Sequence, residues 1–219
     1  MKHFSTLLLA MSLAACGPIP DVEPKSDEAT ATALYRVTFE ATWSAATHPG
    51  SYPVGAHFSP LMGASHAHDA EAGLFRPGLA ASTGIKNMAE IGNNTALRAE
   101  INTLITQGKA FRLLDGRAAT ASPGSLTDTI RLSRSHPALT VVTMIAPSPD
   151  WFAALETHDL LTTTGWTASL RVPATFYDAG TDSGPDYTSP DQPTTPAQPI
   201  RAALTPAAPV GYFRLERIK

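Results

Sequence analysis

A chain of 219 residues, 43% apolar and 16% charged, is long enough for one domain with a full hydrophobic core. Its formal net charge of −3 builds no basic field, which excludes a general attraction to nucleic acid or acidic lipid. Beyond the N-terminus no stretch has the apolar length needed to cross a bilayer.

The chain opens MKHFSTLLLAMSLAACGP: one lysine, an apolar run from Phe4 to Ala15, then Cys16. This pattern predicts an export signal over residues 1–15, too short for a stable spanning helix. Leu13, Ala14, Ala15 and Cys16 resemble the lipobox of bacterial lipoproteins. That resemblance implies lipidation of Cys16, a membrane anchor of several acyl chains and, with Gly17 rather than an aspartate next, sorting to an outer membrane. A plain secretory peptide cut at an Ala-x-Ala-like site is the alternative. Loss of residues 1–15 removes Lys2 and moves the formal charge from −3 to −4. Cys16 is the single cysteine, so stability comes from packing, or from a bound ion, rather than from disulfides.

Residues 16–32 are rich in proline, small residues and charge without apolar period, which predicts a flexible tether to a domain spanning 33–219. In LYRVTFEATW, Tyr35, Val37, Phe39, Ala41 and Trp43 alternate with Arg36, Thr38, Glu40 and Thr42, the period of a half-buried strand. Further strands are expected at 54–58, 111–114, 129–132, 139–145, 168–177 and 211–218. The run 139–145 is apolar enough to be buried on both faces, and Pro173 pushes its own strand toward an edge or bulge. One helix is convincing: Leu97, Ile101, Leu104 and Ile105 recur at helical spacing, with Asn94 or Thr95 to cap it and Gly108 to close it. Many short strands with turn-rich connections predict an all-β antiparallel sandwich with one or two short helices, the clear one lying across an end or edge. From Pro185 to Pro209 the proline content predicts a long surface loop before a last docked strand.

Two acidic stretches are candidates for chemistry. In PSPDWF, Ser148 can cap a short helix with Pro149 at its first position and Asp150 facing the positive helix end, a reading that needs no ligand. In DAGTD, Gly180 permits a sharp turn that lets Asp178 and Asp182 converge on a hard cation, Ca2+ fitting an irregular oxygen loop better than Mg2+. The same residues also suit an ordinary Asx turn.

These stretches, with YRVTFEATWSAATHP from Tyr35 and HFSPLMGASH from His57, resemble the spondin domain found in secreted animal matrix proteins and bacterial envelope proteins. The resemblance implies an antiparallel β-sandwich similar to C2 domains, with one Ca2+ held by Asp150, Asp178 and Asp182. In that case Asp150 starts a loop or short helix as well as supplying a ligand, and Trp151 anchors the loop in the core. Disulfides and integrin recognition known in animal members do not carry over, for want of the cysteines and of matching surface residues.

A rival pattern is HAHDAE, in which His66 and His68 have the spacing of zinc ligands in metallohydrolases. The remaining histidines of the domain, His48, His57, His136 and His158, bring no companion motif, and His66 reads better as a structural hydrogen-bonding residue. No GxSxG, phosphate loop or paired-cysteine motif supports nucleophilic or nucleotide chemistry. The expectation is a lipid-anchored, non-enzymatic Ca2+-binding module that meets an envelope or extracellular protein or glycan. A passive structural domain and a zinc hydrolase are the alternatives.

Overall fold

In a computed structural model the described residues are 1, 31–50, 52–69, 72–203 and 208–219. The expected export signal, Cys16 and the tether up to residue 30 lie outside them. In chain order the elements are β1 (Thr32–Ala41), β2 (His57–Phe58), β3 (Met62–His66), α1 (Thr83–Ile91), α2 (Thr95–Thr106), β4 (Ala110–Asp115), β5 (Thr120–Ala121), β6 (Gly124–Ser133), β7 (Ala138–Ala146), β8 (Trp151–Asp159), β9 (Leu161–Thr162), β10 (Gly165–Trp166), β11 (Ser169–Pro173), β12 (Thr175–Asp178), β13 (Arg201–Ala202) and β14 (Gly211–Arg217). The all-β expectation holds.

Four strands in the order β11-β14-β1-β6 form one antiparallel sheet. The alternation read in β1 is the buried face of that sheet: Tyr35, Val37, Phe39 and Ala41, with Trp43 just beyond, are all inside. The larger sheet runs β13-β12-β8-β7, after which β2 and β3 lie end to end along β7, with β5 and β4 outside them. Phe39 of β1 meets Phe58 of β2 edge to face at 4.7 Å, closing the space between the two sheets. Each such ring taken fully out of water contributes about 1.5–3 kcal/mol.

The larger sheet is buried on its other face as well. Met62, Val142, Phe152 and Tyr177 pack there with Ile85 and Met88 of α1 and Leu97 and Ile101 of α2. The helices therefore cover a sheet face, rather than an end or edge as expected. The reason is that a two-sided apolar strand such as β7 needs a layer on both sides. Helix α2 matches its predicted span and Asn94 is its N-cap residue, but the Asn94 side chain makes no capping bond. Asn93 Oδ1, not Asn94 or Thr95, accepts the Thr95 amide at 2.9 Å, while Gly108 closes the end at φ 72°.

Helix α1 escaped the periodicity reading because it has little more than two turns. Its signals were Ser82 before it and Gly92 after it. Ser82 Oγ accepts the Ile85 amide at 3.1 Å and donates to Glu100 of α2 at 2.7 Å, while Glu100 also accepts the Gly84 amide at 2.7 Å. Ser82→Ala is expected to cost about 1 kcal/mol, read as a small fall in the thermal midpoint.

Other expectations need correction. The 168–177 run is two strands in different sheets: β11 pairs with β14, and β12 pairs with β8. Pro173 ends β11, the edge strand of the smaller sheet, as its missing N–H requires. No short helix follows Ser148. The chain instead turns tightly from β7 into β8, with Ser148 Oγ donating to the Ile145 carbonyl at 2.5 Å and accepting the Trp151 amide at 3.1 Å. The 185–209 segment lies at the surface as expected, and within it Gln192, Thr194, Gln198 and Ile200 bond to neighbouring turns while Arg201–Ala202 pairs with β12.

Candidate functional site

The acidic site is built where β8 begins and β12 ends. The β7–β8 turn places Asp150 one residue before β8, and antiparallel pairing sets Trp151 opposite Asp178. The ladder continues for one step, the Ala179 amide donating to the Asp150 carbonyl at 3.2 Å. At Gly180, with φ 75°, the chain folds back, so that the Thr181 and Asp182 amides both reach Asp150 Oδ2, at 2.6 and 3.1 Å. Asp150, distant in the sequence, is thus buried in one loop cluster with Asp178 and Asp182.

Asp178 and Asp182 each form the Asx turn that their spacing allowed. Asp178 Oδ1 accepts the Gly180 amide at 2.8 Å, and Asp182 Oδ1 accepts the Gly184 amide at 2.7 Å. The proline-rich segment closes the cluster from outside. Gln192 donates its amide to Asp182 Oδ2 at 2.7 Å, Thr194 to the Thr181 carbonyl at 2.9 Å, and Gln198 to the Gly180 carbonyl at 2.7 Å. Arg201 of β13 lies opposite Asp178 in register, and its guanidinium donates to Asp178 Oδ2 at 2.7 and 3.2 Å. Sequence reading missed Arg201, since no local motif ties it to an aspartate 23 residues earlier.

Beneath the loop, Trp151 is half-buried and stands edge-on to Phe176 at 5.4 Å and to Tyr187 at 4.9 Å. Tyr187 in turn tilts against Trp43 at 4.7 Å. The loop is therefore anchored on the aromatic core through Trp151, with Tyr187 of the proline-rich segment as a second anchor.

Electrostatically the site is unbalanced. Asp150 Oδ2 has donors, but Asp150 Oδ1 is buried without any hydrogen-bond partner. Desolvation pushes the Asp150 carboxyl up to about 6, and the nearby Asp178 charge adds to the rise; the Thr181 and Asp182 amides oppose it. The donor set is all oxygen, which suits a hard cation, and Asp150 Oδ1 is the atom such an ion would satisfy. Against this, among the described residues no three His, Cys, Asp or Glu side chains are gathered into a cage. The carboxylates share a loop without converging on one point.

The histidine pair does not form a site. His66 is fully buried, its Nδ1 bonded to the Ala67 carbonyl at 2.7 Å and its Nε2 to Thr140 Oγ1 at 2.8 Å. Burial holds its pKa below the usual imidazole value, and both nitrogens are already engaged. His68 points to solvent, 3.4 Å from Asp159.

Two antiparallel sheets face to face, two helices on one outer face and an acidic loop at the β8–β12 junction define a β-sandwich domain with an oxygen-rich loop site. The Spondin_N family model matches residues 33–211, and the chain belongs to that family. It is 38% identical to Spondin-1 of Bos taurus and of Homo sapiens, over 79% of this chain and 22% of each relative. To Spondin-2 of Homo sapiens it is 31% identical, over 100% of this chain and 66% of the relative. The chain thus spans well under a third of the Spondin-1 proteins it matches.

Proposed function

We propose that this spondin domain binds Ca2+ at its acidic loop and serves as a non-enzymatic binding module for an envelope or extracellular protein or glycan. One observation carries the ion: Asp150 Oδ1 is buried, unpartnered and close enough to Asp178 for the two charges to oppose each other. Asp150 would be the anchoring ligand, with Asp178 and Asp182 turning toward it. The ion supplies the positive charge that lets all three stay ionised. The N-terminal pattern from Leu13 to Cys16 supports a lipid anchor in a bacterial envelope, on the outer membrane by the residue after Cys16. Among the described residues no helix is long and apolar enough to cross a membrane.

Calorimetric titration of the chain with CaCl2 tests the ion. A single saturable site is expected, weakened at least tenfold in Asp178→Asn and Asp182→Asn, and an absence of binding heat and of competition with a fluorescent chelator would overturn it. The second reading is a passive structural domain. It is favoured by the two Asx turns, which already satisfy Asp178 and Asp182 without an ion. Pull-down from envelope extracts with and without chelator separates the two readings: a partner retained only with calcium argues for the binding module.

A further inference from the structure

The formal charge of −3 is an average over two unlike ends of the domain. Register places the start of β1, the ends of β6 and β14 and the start of β11 at one end of the smaller sheet: Thr32 lies opposite Ser133, Tyr35 opposite Arg217 and Ser169 opposite Glu216. The β6–β7 turn brings the start of β7 to the same end, and with it the ends of β3 and β8 and the start of β4, since His66 pairs with Ala110 and Ala138, and Ala138 with Asp159. Lys109, Arg112, Arg131, Arg134 and Arg217 therefore gather here, against Asp69 and Asp159 among the described residues. Glu216 is already shared between Arg36 and Arg214. Arg112, Arg134 and Arg217 are exposed, and Arg112 is held over the Phe111 ring at 4.0 Å. The opposite end carries the acidic loop, where Asp150, Asp178 and Asp182, with Asp186 and Asp191 in the segment across it, outnumber Arg201 and Arg117.

Along the ten residues of β1 the two ends lie about 30 Å apart, several times the roughly 8 Å over which physiological salt screens a charge. A surface that touches one end feels little of the other, so the basic end can meet an anionic plane in spite of the overall sign. This is also the end at which the domain joins its tether. The Ala31 carbonyl accepts the Arg134 amide at 3.1 Å, and Arg131 donates to Thr32 Oγ1 at 3.2 Å. A chain anchored at Cys16 presents to its membrane the end from which the tether leaves. Ile218, exposed beside these charges, fits a headgroup layer, which takes up apolar as well as basic side chains, and offers nothing to a soluble polyanion. We infer that this basic end docks on the anionic headgroups of the membrane that carries the anchor, and so turns the acidic loop outward toward partners. The position of the membrane rests on the lipid-anchor reading; the charge of the face does not.

The test takes the chain from residue 16 with Cys16→Ser, which keeps the whole domain but no acyl chain, and measures its co-sedimentation with vesicles. One set contains phosphatidylglycerol and phosphatidylcholine, the other phosphatidylcholine alone. Binding is expected to the anionic vesicles only, falling with salt and indifferent to calcium or chelator. Arg134→Glu and Arg217→Glu should each weaken it at least about fivefold, the factor that one basic side chain at a membrane surface contributes. Arg117→Glu, an equal change of net charge at the far end, should leave it unaltered. All three positions are exposed, and unchanged thermal midpoints check that the variants fold. No binding, equal binding to neutral vesicles, an equal loss in Arg117→Glu, or tighter binding to soluble polyphosphate than to vesicles would overturn the inference. Binding that requires calcium would move the contact to the acidic loop and overturn it as well. Mass spectrometry of the full chain made in a bacterium reads the anchor separately: an unmodified Cys16 ends the anchor reading, while the vesicles still decide the charged face.

Discussion

At pH 7.5, saturating calcium raises the thermal midpoint of the chain by roughly 5–10 °C at about 100-fold excess over Kd, and most of that gain disappears near pH 5. The cause lies in Asp150. Its carboxyl is pushed up from 3.8 to about 6 by burial first and by Asp178 second. Without an ion, the native state holds its proton more tightly than the unfolded chain, so stability falls as pH rises from about 4 to about 6 and stays low above that. A shift of that size corresponds to about 3 kcal/mol of destabilisation at neutral pH. Calcium reverses the sign, because it binds the ionised carboxyl and competes with the proton. Asp150→Asn keeps an oxygen for the Thr181 and Asp182 amides but carries no charge. In chelator at pH 7.5 it is expected to melt no lower than the wild type, and to gain nothing from calcium. A wild-type midpoint indifferent to calcium at pH 7.5 would remove the ion from the account.

Gly180→Ala is expected to be the most damaging single methyl in the loop, lowering stability by roughly 3–5 kcal/mol and weakening calcium binding with it. Two effects add. The backbone has φ 75°, which a side chain resists, and an added Cβ would sit 2.3 Å from the Gln198 carbonyl oxygen. That carbonyl belongs to the proline-rich segment, whose Gln198 amide bonds Gly180, so relief means prising the segment off the acidic cluster. Gly108 is the control. Its φ of 72° is similar but nothing lies within 4 Å of a Cβ there, so Gly108→Ala bears only the conformational cost of about 1–2 kcal/mol. Equal losses in the two variants, measured by denaturant unfolding, would mean that the close approach to Gln198 does not hold the loop.

Strands with one wet face could be read in advance from their period of two, and β7 from its unbroken apolar run. In β1, Arg36 and Glu40 point outward between buried neighbours, so the period of two survives in the residue types. In β8 it does not. That strand lies between β7 and β12, packs Leu155 toward one layer and Phe152 toward the other, and its alanines carry no signal of side. The same ambiguity hid β3, where every residue from Met62 to His66 is buried. Ser148, Pro149 and Asp150 suit a helix start and a tight turn equally well, because in both a side-chain oxygen accepts a nearby amide. The choice was made by the pairing of Trp151 with Asp178, a partner outside any local window.

The amino-acid sequence alone determined which residues of β1 face inward, where α2 runs, and that Asp178 and Asp182 flank a turn at Gly180. Those properties reside in side-chain chemistry, short-range spacing and motifs that persist along the chain. Only the tertiary structure decided that the helices cover a sheet face, that residues 185–203 are strapped over the acidic loop, and that Asp150 keeps one oxygen unpaired while Arg201 answers Asp178. Each of these depends on backbone groups brought together from distant positions, and a hydrogen bond between such groups leaves no trace in the order of the residues.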